Sequence, residues 1–316
     1  MRIIFIGTSS FGVPILRKLI TLPENVVAVI TQPDRPAGRG KRVKASSIKE
    51  LASQFGLYLF QPENINADDA IEEIAGLKPD LIILVAYGQI LSGKILSIPA
   101  YGCLNIHPSL LPKYKGPAPI YWTLIKGEEE TGISFLFMNE KIDAGDIICQ
   151  KKIKILPEEN FEQLEERLAE ESAEMLEQVL SMIKKGEYQL TPQPKEKCFY
   201  ARKLTKSDCR IDWSRTGREI FNLIRGLTYL PGAYTEFKGR RIKITRVNLL
   251  EKSVAEHNLI QKIPGTIVKV EKEGIQVLTG DNTIIVIKRL VPSGAREMDV
   301  LEFINGYHPQ IGDVFN

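Results

Sequence analysis

LIILVAY, residues 81–87, holds no polar group except a tyrosine hydroxyl. A run this short without alternation fits a strand covered on both faces, not one with a wet side. Similar runs flank it: RIIFIG (2–7), VVAVIT (26–31) and LYLFQ (57–61) before, CLNIH (103–107) after. Between them VPILRKLITL, SIKELASQFG and DDAIEEIAGL carry apolar residues at helical steps. Repeated strand–helix–strand units of this size predict a parallel sheet with helices on both faces.

TGISFLFM (131–138) and DIICQKKIKI (146–155) then read as two strands joined by a short loop. A long helix follows, with Phe161, Leu164, Leu168, Met175, Val179 and Ile183 at helical steps and Lys184, Lys185 and Gly186 at its end. Periodicity vanishes over 189–207, which carries two prolines and reads as a linker. Beyond it come one helix, TGREIFNLIRGL, and strand-like runs punctuated by glycine turns. The expected architecture is α/β. A Rossmann-like, mostly parallel sheet forms an N-terminal domain over 1–188, and a smaller antiparallel β-barrel, OB-like, covers 208–316.

A chain of 316 residues has room for two such cores. No apolar run reaches the ~18–20 residues of a membrane span. MRIIFIG is too short for a signal peptide. Cysteines 103, 149, 198 and 209 form no C-x-x-C pair, which points to a reducing cytoplasm rather than a disulfide scaffold. Charge is divided unevenly. Residues 1–194 hold 21 Lys+Arg against 25 Asp+Glu, a net −4, while 195–316 hold 21 against 14, a net +7. The C-terminal part is a candidate for a polyanionic partner, or simply a solvated basic surface.

Strand parity puts Cys103, Asn105 and His107 on one face and Leu104 and Ile106 on the other. Asn105 and His107 then lie roughly 7 Å apart at the carboxyl end of a strand, where open α/β sheets bind ligands. An amide that donates and an imidazole that moves a proton suit acyl transfer. Two satisfied polar residues at a strand end is the simpler alternative. Nothing near Cys103 and His107 completes a metal site, so none is expected. Asp143 and Asp146, in EKIDAGDII, could orient the histidine, although Asp-Ala-Gly-Asp also makes an ordinary turn. GTSSFG (7–12) lacks both G-x-G-x-x-G and a Walker lysine, so neither NAD nor ATP is implied. QPDRPAGRGKRVK (32–44) collects Arg35, Arg39, Lys41, Arg42 and Lys44, a loop suited to gripping phosphates or to solvent alone.

NIHPSLLPKYKGPAPI (105–120), followed by IDAGDI (142–147), resembles the folate-dependent formyltransferases. GTSSFGVPIL, TQPDRPAGRGKR, VAYGQIL and RIDWSRTGREIFNLIRGLTYLPGAYT are similar to the methionyl-tRNA branch of that family, over nearly the whole chain. The resemblance implies transfer of a formyl group from 10-formyltetrahydrofolate to the α-amino group of methionyl initiator tRNA, with no metal. It makes Asn105, His107 and Asp143 catalytic. It gives folate Tyr87, Gly88, Gln89, Ile90 and Leu91, together with Ser109, Leu110, Leu111 and Pro112. Arg35, Arg39, Lys41 and Arg42 would meet the tRNA acceptor arm and the barrel the rest of the tRNA. A cytoplasmic monomer is expected. Two departures stand out: Met138-Asn139-Glu140-Lys141 lacks the family's glycine before the catalytic aspartate, and Thr228-Tyr229-Leu230-Pro231 is less proline-rich than usual. Two other readings remain, a formyltransferase acting on a nucleotide-linked amino sugar and a non-catalytic RNA-binding protein.

Overall fold

The computed structural model describes residues 1–37, 42–194, 199–228, 230–250 and 263–316. It divides into two compact units. The first comprises Met1–Pro119, Glu130–Lys154 and Glu165–Arg202; the second comprises Ile120–Glu129, Ile155–Leu164 and Lys203–Asn316.

The first stretch of chain runs β1 (Arg2–Gly7), α1 (Gly12–Thr21), β2 (Asn25–Ile30), β3 (Arg35–Ala37), β4 (Arg42–Lys44), α2 (Ser47–Gln54), β5 (Leu59–Phe60) and α3 (Asp68–Gly76). There follow β6 (Leu81–Val85), α4 (Gly93–Leu96), β7 (Cys103–His107), α5 (Pro119–Ile125), β8 (Glu130–Phe137), β9 (Ile147–Lys154) and α6 (Phe161–Lys185). Helix α1 buries Gly12, Ile15, Leu16 and Leu19, one face at helical spacing. Ser46 caps α2, its hydroxyl accepting from the Lys49 amide at 3.0 Å. In α6 the buried stripe runs through Leu164, Leu168, Ser172, Leu176, Val179, Leu180 and Ile183, with Met175 only half-buried beside it.

Seven strands form one sheet in the order β5-β2-β1-β6-β7-β8-β9. The first five are parallel, while β8 is antiparallel to both β7 and β9. The chain moves outward from β1 to β2 and β5, then returns to place β6 beside β1, a reversal that opens a crevice at the strands' carboxyl ends. All five residues of β6 are buried, as an apolar run without alternation requires. On one face Ile4, Ile6, Ile82, Leu84 and Cys103 pack together. That face turns polar toward the carboxyl end of β7.

The expected linker is part of the first unit as far as Arg202. Thr191 and Ile147 exchange amide hydrogen bonds of 2.9 Å, and Lys115 and Tyr200 form a parallel bridge. Backbone pairing of this kind leaves no apolar period, so the segment reads as loop although it is pinned.

The second unit adds α7 (Gly217–Gly226), β10 (Ala233–Phe237), β11 (Arg240–Leu250), β12 (Ile267–Glu271), β13 (Gly274–Leu278), β14 (Ile284–Pro292), β15 (Met298–Asp299) and α8 (Val300–Tyr307). Its sheet is antiparallel in the order β10-β11-β14-β13-β12, with β15 on β14. Phe315 bridges to Phe237 and Val314 bridges to Thr266, so residues 314–315 join the two edges and close the barrel. Its core holds Trp213, Phe221, Phe237, Ile285, Phe303 and Phe315.

Candidate active site

Asn105 and His107 are 7% and 5% exposed, and both lie on the apolar-core face of β7, as parity requires. The loop after β8 folds back over them. Asp143 stands in it with φ +48°, in the left-handed region that an aspartate adopts more readily than most residues. The Asn105 amide Nδ2 donates to Asp143 Oδ1 at 3.1 Å, and the Gly116 amide donates to Asp143 Oδ2 at 2.8 Å. His107 Nδ1 lies 3.6 Å from Asp143 Oδ2. The three residues that the sequence singles out therefore meet at one carboxylate. Asp146 is not among them; its carbonyl closes the loop by accepting from the Phe137 amide at 3.0 Å.

The tautomer of His107 has a different origin from the one expected. Nε2 lies 2.9 Å from the Tyr114 carbonyl oxygen, an acceptor only, so Nε2 carries the hydrogen. Nδ1 is then the nitrogen that exchanges a proton, and it is the one facing Asp143. Sequence reasoning gave the orienting role to the carboxylate and missed the backbone carbonyl. Tyr114 presents that carbonyl from a left-handed turn, with φ +59°. Gly116 must be glycine. With φ +110°, a Cβ there would lie 2.9 Å from both the Ala201 carbonyl and the Tyr200 ring.

A cavity of about 110 Å³ adjoins the trio, lined by Gln89, Ile90, Leu91, Asn105, Asp143 and the departing turn Asn139–Lys141 among others. That turn holds itself without the family's glycine, since Asn139 Oδ1 accepts from the Lys141 amide at 2.9 Å. Gln89 is fixed from behind: its Oε1 accepts from the Ile65 amide and its Nε2 donates to the Glu63 carbonyl. Tyr87 does not line the cavity. It is 2% exposed, and burial pushes its phenol up to about 12. Gly88 provides the turn between them, at φ +96°.

Ser109, Leu110, Leu111 and Pro112 do not line this cavity either. The Ser109 hydroxyl donates to the Lys113 carbonyl at 2.8 Å, and Leu111 packs on Leu136 and Ile147. Ser134 donates to the Ser109 carbonyl at 2.6 Å while accepting from the Leu111 amide at 3.1 Å. The loop is thus held by one bond of its own and by Ser134 of β8.

Of the basic loop, Arg35 is exposed and pairs with Glu63 at 3.2 Å. Arg42 begins β4, paired in register with Ala37, while Arg39 and Lys41 lie outside the described residues. Among the described residues no three His, Cys, Asp or Glu side chains are placed to hold a metal, and no helix is long and apolar enough to cross a membrane. Burial pushes the Cys103 thiol, on the same strand as Asn105 and His107, up to about 12, far from a reactive thiolate.

The chain matches the formyl transferase family over residues 1–180 and the formyl transferase C-terminal domain over 203–308. It is 41% identical over 313 residues to the methionyl-tRNA formyltransferase of Bacillus subtilis, covering 99% of this chain and 97% of that one. To the methionyl-tRNA formyltransferase of Alkaliphilus metalliredigens it is 42% identical, over 97% of this chain and 95% of that one. Among solved structures, an N-formyltransferase of Helicobacter canadensis in complex with folinic acid and dTDP-3-aminofucose shares the fold. Its TM-score is 0.67 at 18% identity, over 91% of this chain and 98% of that one. HypX of Aquifex aeolicus in complex with tetrahydrofolic acid gives 0.64 at 18% identity; the match covers 99% of this chain and 48% of HypX. Identity near 40% along the full length, with both domain models matched in order, settles the matter: the chain belongs to the methionyl-tRNA formyltransferase family.

Proposed function

We propose that the protein transfers the formyl group of 10-formyltetrahydrofolate to the α-amino group of methionyl initiator tRNA. The observation that carries the chemistry is the meeting of Asn105, His107 and Asp143 around one carboxylate beside a cavity. The folate co-substrate supplies an activated formyl group. As the amine attacks, negative charge grows on the formyl oxygen. One Asn105 amide hydrogen is committed to Asp143, and the second serves that oxygen. The amine sheds a proton on bonding, and His107 Nδ1 is the basic nitrogen available to take it. Once protonated, Nδ1 becomes a donor toward Asp143 and is held there by charge. The same proton can return to the leaving nitrogen. No covalent enzyme intermediate is needed.

The cavity supports a folate ring more than a whole folate. Its volume is below the roughly 300–1000 Å³ of a complete small-molecule site. Apolar Ile90 and Leu91 with polar Gln89 and Asn105 suit a flat heterocycle, and the Ser109–Pro112 loop remains the expected further part of the folate site. In this reading the basic residues Arg35, Arg39, Lys41 and Arg42 contact the acceptor arm. Residues 1–188 carry the chemistry and 208–316 the remaining tRNA contacts. Arg246 and Arg289 are register partners across β11 and β14 at an irregularity in the pairing; Arg289 is paired with Glu297 at 3.0 Å, and in this reading Arg246 is a candidate phosphate contact. A trio drawn from one chain is compatible with the expected monomer, and a tRNA substrate supports the expected cytoplasmic location.

An acceptor comparison tests the reading. Given 10-formyltetrahydrofolate with either methionyl initiator tRNA or a dTDP-linked amino sugar, the protein should formylate the tRNA. Transfer to the sugar alone would overturn it. Arg39→Ala should raise the KM for tRNA and lower the salt slope by about one; a change in folate affinity alone would remove the loop from the tRNA site.

A further inference from the structure

Asp143 reaches its partners from a loop whose own bonds lie on either side of it. The Lys141 amide donates to Asn139 Oδ1 at 2.9 Å and the Phe137 amide to the Asp146 carbonyl at 3.0 Å, but at Asp143 itself the backbone is left-handed and the turn bond from the Ala144 amide to the Lys141 carbonyl is 3.4 Å long. The carboxylate nonetheless has to face Asn105, Gly116 and His107 together. Something must hold the loop from its backbone side.

Gln193 does so, from the segment after α6 that reads as a linker. Its Nε2 donates to the Asp143 carbonyl at 3.0 Å and to the Gly145 carbonyl at 2.7 Å. Two carbonyls demand a donor, so the amide orientation is fixed by chemistry and both of its hydrogens are used. Gln193 Oε1 is buried with no partner among the described residues, a cost set against those two bonds. Two residues earlier, the Thr191–Ile147 pair fixes the segment to the start of β9. Gly145 packs directly on the end of β8, where a Cβ would lie 1.7 Å from the Phe137 carbonyl, so no side chain fits there.

The same segment returns to the other side of the trio. The Tyr114 amide donates to the Phe199 carbonyl at 3.1 Å, and the Ala201 amide donates to the Lys115 carbonyl at 2.6 Å. Phe199 also packs its ring on Tyr114, with centroids 5.4 Å apart. The Tyr114 carbonyl is the group that sets the His107 tautomer. One piece of chain therefore holds the acceptor of His107 and the backbone of Asp143.

We propose that Gln193 is a positioning residue for Asp143, and that residues 191–194 and 199–201 act as a strap fixing the distance between Asp143 and His107. The part of this that concerns turnover rests on the formyl-transfer reading above; the part that concerns the loop does not. A displacement of about 1 Å in such a group costs about 100-fold in rate.

Gln193→Leu keeps the bulk of the side chain and removes both hydrogen bonds. Its loop amides, Lys141 to Asp146, should exchange with deuterated solvent about 10-fold faster than in the wild type, while amides of β1 and β6 stay unchanged. With methionyl initiator tRNA as acceptor, kcat should fall about 10- to 100-fold with both KM values within about twofold. Gln193→Asn, one methylene too short to span both carbonyls, should fall between and covers a poorly folding leucine variant. Combined with Asp143→Asn, Gln193→Leu should add no further loss, because Gln193 acts through that carboxylate. Unchanged loop exchange in both variants, or losses that multiply in the double variant, would overturn the proposal. A wild-type protein that makes no formyl-methionyl-tRNA would instead overturn the reading of function, and loop exchange would still decide the strap.

Discussion

At the scale of the residue, the account rests on three side chains and one backbone carbonyl. Asn105→Ala removes a donor placed for the formyl oxygen, and kcat should drop about 10²- to 10³-fold with tRNA affinity retained. A protein that only binds RNA would show no turnover to lose. Asp143→Asn keeps the shape but discards the charge facing Nδ1; a loss of about 10²-fold or more in kcat at unchanged Tm is expected, and turnover equal to wild type would remove Asp143 from the mechanism. Parity made Asn105 and His107 legible, because a strand gives each second residue the same face. The Tyr114 carbonyl was not. It depends on a left-handed turn, and a backbone oxygen carries no side-chain signal. Gln193 was hidden for a related reason: it lies in a stretch without hydrophobic period, where its amide looks like any solvated one. Ser109 to Pro112 were legible as a motif but not as a loop pinned to the sheet, since the Ser134 and Gln150 that tie it down come from strands later in the chain.

Among the elements, the continuous apolar strands were readable within a residue or two, because burial on both faces leaves little else for such a run to be. Helix α5, PIYWTLI, was missed: its aromatic and β-branched residues are poor helix formers that packing overrides. Helix α8 did leave a sign. Asp299 and Glu302 form a capping box, a spacing visible in the sequence before a short apolar run. Helix α7 also carries a capping box, Thr216 with Glu219, and its first amide has a further acceptor in the turn between β13 and β14. Asp281 Oδ1 accepts from the Gly217 amide at 3.1 Å and from the Thr279 and Thr283 hydroxyls at 2.7 and 2.8 Å. Partial burial works against its charge, yet these hydrogen bonds prevail and bring its carboxyl down to about 2. The stabilisation is present above the ordinary carboxylate range near 3.8 and is lost as pH falls through about 2. Asp281→Asn should therefore cost about 1 kcal/mol at pH 7, small because the site is exposed, and nothing below pH 2. Urea titrations at the two pH values check this, and an equal cost at both would contradict it.

Over the whole molecule, a chemical unit and a barrel were legible as a change from strand–helix alternation to strand–turn repetition. The way the barrel closes was not, because it uses single bridges from residues 314–315 rather than a strand with its own period. Phe315 is 1% exposed and packs on Phe237 and Trp213 with ring centroids 4.8 and 5.9 Å away. Phe315→Ala should cost about 3–5 kcal/mol in the second unit, read as an earlier urea midpoint. The division of charge, −4 before residue 195 and +7 from there on, should show in the kinetics of the reaction. The most direct measurement is the rate of formyl-methionyl-tRNA formation from 10-formyltetrahydrofolate at two salt concentrations. Product should form, with kcat/KM for tRNA falling steeply as salt rises while kcat holds, since phosphate contacts bring the substrate and the Asn105–His107–Asp143 trio performs the transfer. No product, or a kcat/KM indifferent to salt, would contradict it.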